Sequence, residues 1–155
     1  MPKYSRIVMA TDFSPASDAA FEEAARMARE WGARLYLVHA YETTAEASVP
    51  YLPAISFFET LAAVRAQAEQ KLQALISRAS LRGVNVRLVA ERGVAHDTIV
   101  DVAARENADL IVMGTHGRRG AARLLLGSVA ARVIAMAPCP VLTLRRQSAV
   151  AAHVA

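Results

Sequence analysis

A chain of 155 residues with 54% hydrophobic and 21% charged residues is long enough for one domain with a sizeable core and too apolar to stay disordered. It has no apolar run near the roughly 20 residues of a membrane-spanning helix, no signal-peptide pattern in MPKYSRIVMATD, and one cysteine, Cys139, which excludes an internal disulfide framework. The formal charge of +4 is carried almost wholly by arginines spread along the chain, so the expectation is a cytoplasmic protein with neither a nucleic-acid footprint nor a membrane partner.

Arg6–Ala10, RIVMA, is a short apolar run ended by Thr11 and Asp12 and reads as a strand. A helix follows: Ser14 caps it, Pro15 fits its first position, Asp18 lies in its first turn and Gly32 stops it. Phe21, Ala24, Ala25, Ala28 and Trp31 form its inward stripe. Arg34–Tyr41 is a second strand. A looser stretch from Glu42 to Ser56 carries Pro50 and Pro53, and Phe57–Arg82 reads as a long helix ended by Gly83. Asn85–Ala90 is a third strand. His96–Asn107 is a helix with Ile99, Val102 and Ala103 inward, and Asp109–Gly114 is a fourth strand. Ser128–Ala137 is a short helix, and Pro140–Arg145 a fifth strand.

The strands are apolar runs rather than strict alternations, which suits a sheet covered on both faces. Strand and helix alternate throughout. The expected fold is therefore α/β: a doubly wound, Rossmann-like, five-stranded parallel sheet with helices on both faces. One domain is expected over residues 1–147, with a frayed tail at 148–155. Such sheets bind ligands at the carboxyl ends of their strands, where strand order reverses. That rule points to Asp12, Ala40, Gly93 and the loop from Gly114.

The segment MGTHGRRGAARLLLGS, Met113–Ser128, holds four of the chain's seven glycines. It joins the end of the fourth strand to the start of the last helix. A helix N-terminus presents unpaired N–H groups and partial positive charge, which attract phosphate. Glycine at Gly114, Gly117 and Gly127 lets an anion approach the backbone. Ser128 can cap the helix or donate to a phosphate oxygen, and Arg118, Arg119 and Arg123 can supply charge. Neither Walker A nor the Rossmann fingerprint matches, since the loop lacks lysine and its glycines follow the fourth strand.

Gly114-x2-Gly117-x9-Gly127-Ser128 resembles the G-x2-G-x9-G-[ST] signature of the ATP-binding branch of the universal stress protein family. ATDFS after the first strand, LVHAY at the second, and the stretch from Val112 to Arg145 agree with it. The resemblance implies that ATP is held at Gly114, Gly117, Gly127 and Ser128, with the Val129 N–H. It implies that Ala10 lines the adenosine pocket, that Asp12 lies near the adenosine moiety, and that the Ala40 backbone meets the adenine edge. Thr11, Met113, His116 and Arg118 stand beside these positions and complete the expected site. The family further implies Mg²⁺ or Mn²⁺ held through the phosphates, and a homodimer through the edge strand Val141–Arg145.

Plainer roles stay open for several of these residues. Asp12 can simply cap the first helix. His39 lies in an apolar strand and reads as a hydrogen-bonded structural histidine. Arg118 and Arg119 reach one phosphate together only if the loop bends, and Cys139 between two prolines reads as a small buried residue. The sequence shows no nucleophile beside a base, no metal-ligand cluster and no paired carboxylates. The expected function is thus not enzymatic: an ATP-binding stress-response switch with at most slow hydrolysis. The alternative is a dimeric scaffold whose pocket is empty or takes AMP or cyclic AMP.

Overall fold

Short apolar runs form the strands, and each of the first four is followed by a helix. The computed structural model describes residues 4–42, 54–78, 81–115 and 126–145. In chain order these form β1 (Arg6–Ala10), α1 (Pro15–Trp31), β2 (Arg34–Tyr41), α2 (Ala54–Arg78), β3 (Asn85–Arg92), α3 (Ala95–Arg105), β4 (Leu110–Gly114), α4 (Ser128–Met136) and β5 (Val141–Leu144). The sheet has five parallel strands in the order β3-β2-β1-β4-β5. It is the expected doubly wound, Rossmann-like α/β domain.

Alternation along each strand sends side chains to two separate cores. Ile7, Met9, Leu35, Leu37, Leu110 and Val112 pack under α1 and α2 with Phe21 and Leu72. Val8, Ala10, Tyr36, Val38, Ile111 and Met113 pack under α3 and α4 with Val102 and Val133. The central strands β1 and β4 are buried on both faces, as their unbroken apolar runs require.

The start of α1 follows its sequence signals. Ser14 is the N-cap and its hydroxyl accepts from the Ser17 N–H, Pro15 takes the first helical position, and Gly32 ends the helix at φ 65°. Trp31 is only partly buried and packs on Tyr4, with ring centroids 5.2 Å apart. Several boundaries differ from expectation: α3 spans Ala95–Arg105 rather than His96–Asn107, α4 ends at Met136 rather than Ala137, β5 spans Val141–Leu144 rather than Pro140–Arg145, and three others have a visible physical setting. The helix α2 begins at Ala54 rather than Phe57. Within it, Ala68, Leu72 and Leu75 are buried. The strand β3 continues through Glu91 and Arg92, because an outer strand can keep charged side chains in water while its backbone stays paired to β2. The fourth strand begins at Leu110, since Asp109 instead accepts from the N–H groups of Ser5 and Arg6.

Candidate functional site

The chain runs from β1 outward to β2 and β3, then returns to β4 on the other side of β1. Strand order therefore reverses between β1 and β4, and the crevice at their carboxyl ends is where such sheets take ligands. The register pairs Ala10 with Met113 across this point and Ala10 with Val38 on the other side. Thr11, Asp12, Ala40 and Gly114 thus lie at one edge of the sheet.

Each of these residues is held differently. Ala10 and Met113 are buried in the core beneath α3 and α4, so they reach the crevice through their backbone. Thr11 is buried on the opposite face: its Oγ1 lies 3.1 Å from Ser17 Oγ and accepts from the Phe13 N–H at 3.0 Å. Its side chain ties the β1–α1 turn to the helix. Asp12 is half-buried, and its Oδ1 accepts from the Ser14 N–H at 3.0 Å. The helix cap itself is Ser14, so Asp12 shapes the turn ahead of the helix. Ala40 is half-buried and pairs with Glu91 of β3.

The other wall is the start of α4. The Gly127 N–H donates to the Thr115 carbonyl at 2.7 Å, and the Thr115 N–H donates to the Leu144 carbonyl at 2.8 Å. These two bonds fasten the head of α4 to the ends of β4 and β5. Gly127 is the N-cap with extended backbone and makes no side-chain cap bond, and its carbonyl accepts from Ala131. The N–H groups of Ser128, Val129 and Ala130 lie in the first turn, where a helix offers no internal acceptor and the dipole is positive. Ser128 is exposed and Val129 half-buried. The remaining expected residues, His116, Gly117 and Arg118, lie outside the described residues, as do Arg119 and Arg123.

Gly114 has a structural reason beyond anion access. A Cβ there would lie 3.0 Å from the Ala16 carbonyl carbon and 3.2 Å from the Ser17 nitrogen. The first turn of α1 thus rests directly on the end of β4.

Two features escaped the sequence reading. Phe13 adopts φ 61°, a left-handed conformation that phenylalanine rarely takes and no local signal announces. His39 Nδ1 lies 2.8 Å from the Thr11 carbonyl oxygen, which accepts its proton, and the His39 and Phe13 rings lie 4.4 Å apart. The structural role read for His39 is therefore located in the turn that carries Asp12. Cys139 is partly rather than fully buried, and burial together with the Asp109 carboxylate pushes its thiol up, away from thiolate reactivity.

A groove of about 710 Å³ runs along the outer edge of β3, away from this crevice. Three of its arginines pair with carboxylates: Arg65 with Glu69, Arg105 with Glu91, and Arg87 with Glu106. Such charged pairs guard an open sheet edge. Among the described residues no group of three or more His, Cys, Asp or Glu could hold a metal ion, and no helix is long and apolar enough to cross a membrane.

Residues 3–145 match the family model for the universal stress protein family. Universal stress protein MJ0531 of Methanocaldococcus jannaschii is 36% identical over 146 residues, covering 92% of this chain and 83% of that protein. Among solved structures, protein MJ0577 superposes with a TM-score of 0.80 at 26% identity, covering 94% of this chain and 99% of that one. A universal stress protein in complex with cAMP superposes with a TM-score of 0.63 at 27% identity, over 91% of this chain and 96% of that one. The Archaeoglobus fulgidus universal stress protein in complex with dAMP gives 0.61 at 27% identity, over 91% and 98%.

Proposed function

Because the chain belongs to the universal stress protein family, we propose that it binds an adenine nucleotide, ATP, at the β1/β4 crevice and acts as a nucleotide-dependent stress-response switch. The observation that carries this reading is that the Asp12 turn and the head of α4, whose N-cap Gly127 makes no side-chain cap bond, follow the carboxyl ends of β1 and β4, where strand order reverses. In this reading the Val129 N–H and the Ser128 hydroxyl bind the phosphates, and the family signature assigns Gly114, Gly117 and Gly127, with His116 and Arg118 beside them in the chain, to the same side of the nucleotide. Asp12 and the backbones of Ala10, Thr11, Ala40 and Met113 form the adenosine side. Mg²⁺ or Mn²⁺ enters on the phosphates, since Asp12 is the one carboxylate on the β1 turn that forms this wall.

The role is binding with at most slow turnover. A fast hydrolase needs a group that orients water, and the one imidazole on the β1/β2 side already donates to a backbone carbonyl. The complexes of two neighbours with cAMP and dAMP favour a second reading, in which the same pocket takes a nucleoside monophosphate and the protein serves as a dimeric scaffold. Both readings include a homodimer through Val141–Arg145. In support, β5 is an outer strand whose residues are half-exposed, and Ile134 and Met136 on the adjoining α4 are exposed.

Mass spectrometry of ligand released from the natively purified protein tests the choice. ATP is the expected product, and AMP or cyclic AMP would favour the second reading. No released ligand, together with no binding at millimolar nucleotide, would overturn both.

A further inference from the structure

Among the described residues, Phe13 and Asn107 are the non-glycine positions with positive φ, at 61° and 50°. Asparagine tolerates this region, whereas a phenylalanine there is strained and persists only where its surroundings dictate it. The surroundings of Phe13 come from three elements. Ser17 of α1 holds the Thr11 hydroxyl, which in turn accepts from the Phe13 N–H. Lys71 of α2 places Nζ 5.8 Å from the Phe13 ring centroid. His39 of β2 contacts the turn twice, through its ring against Phe13 at 4.4 Å and through Nδ1 to the Thr11 carbonyl at 2.8 Å. The residue enclosed between these contacts is Asp12.

We propose that His39 is a positioning residue of the nucleotide site: it holds the Thr11–Phe13 turn in its left-handed form so that Asp12 meets the adenosine moiety. This rests on the nucleotide reading above. A carbonyl oxygen only accepts, so Nδ1 carries a proton, and in the neutral ring this fixes the tautomer. Bond and ring are separable by substitution. Asparagine keeps an N–H donor on the atom bonded to Cγ without the ring, and phenylalanine keeps a ring without the donor.

The test compares wild type, His39→Phe and His39→Asn by calorimetric titration with AMP and with ATP plus Mg²⁺, and by amide hydrogen exchange. Loss of a half-buried hydrogen bond that orders the site predicts about ten-fold weaker binding in H39F. Exchange at Phe13 and Ser14 should then quicken by about ten-fold while Val8 in β1 is unchanged. H39N should bind within about three-fold of wild type, a rescue that general loss of packing would not give. If H39F binds as wild type does, or H39N is as weak as H39F, His39 does not position the site. If wild type binds neither nucleotide, the nucleotide reading fails and this assignment with it, a result distinct from the first two.

Discussion

Gly114, the last residue of β4, lies against Ala16 in the first turn of α1 so closely that a Cβ would come within 3.0 Å of the Ala16 carbonyl carbon and 3.1 Å of its oxygen. Both neighbours are backbone atoms of a capped helix and cannot turn aside as a side chain would. Gly114→Ala should therefore destabilise the fold by about 1–3 kcal/mol in urea unfolding, with or without nucleotide. An unchanged midpoint would show that this contact is looser than described.

Phe13 gives the opposite prediction for glycine. At φ 61° every residue with a Cβ is strained, so Phe13→Gly should be more stable than Phe13→Ala by about 1 kcal/mol. This reverses the order found at ordinary positions. Thermal unfolding of the two variants decides it, and an Ala variant at least as stable as the Gly variant would argue against the left-handed turn.

The Arg26 guanidinium holds the Glu23 carboxyl below the usual carboxylate range through paired hydrogen bonds on α1. A carboxyl depressed in the folded state stabilises above its unfolded value, near 4.5, and loses that contribution as pH falls through the lower folded value. Glu23→Gln should thus lower the melting temperature at neutral pH but not in acid below the folded value, where both states are protonated. The loss should be smaller than that from Gly114→Ala, because the pair is largely solvated. An equal loss at both pH values would assign the effect to packing.

The outer edge of β5 tests the proposed dimer. The carbonyls of Pro140 and Leu144 accept from Ile111 and Thr115, so the alternation turns the Val141 and Thr143 backbones toward the open side. Thr143→Pro removes an outward N–H while sparing the ladder to β4. Sedimentation should show a dimer for wild type and a monomer for T143P. A wild-type monomer would contradict the dimer outright.

The local signals that proved legible were those that act alone. A serine cap, Pro15 and Gly32 define α1, because each works through its own backbone geometry. Asp12, Gly114 and Gly127 could be placed at strand and helix ends by chain order alone, and the structure puts them at the same edge of the sheet. What eluded sequence reading depends on distant partners. The full length of β3 follows from its place at the sheet edge, where Glu91 and Arg92 face water. Gly114 looked like an anion contact, yet its tight fit comes from α1, nearly a hundred residues earlier. The left-handed Phe13 has His39 and Lys71 beside it, and no propensity of Phe13 itself foretells that arrangement.

Adenine-nucleotide binding at the head of α4 is the central claim, and thermal unfolding of wild type and Gly127→Val with ATP plus Mg²⁺, AMP or cyclic AMP tests it most directly. Valine fits the extended backbone of Gly127 but brings two methyl groups onto the path to the first-turn N–H groups. At a hundred times the dissociation constant, a ligand selective for the native state adds about 2.7 kcal/mol. A rise in melting temperature with at least one nucleotide for wild type, absent in G127V of equal basal stability, is the predicted result. No rise in wild type, or the same rise in G127V, would contradict it.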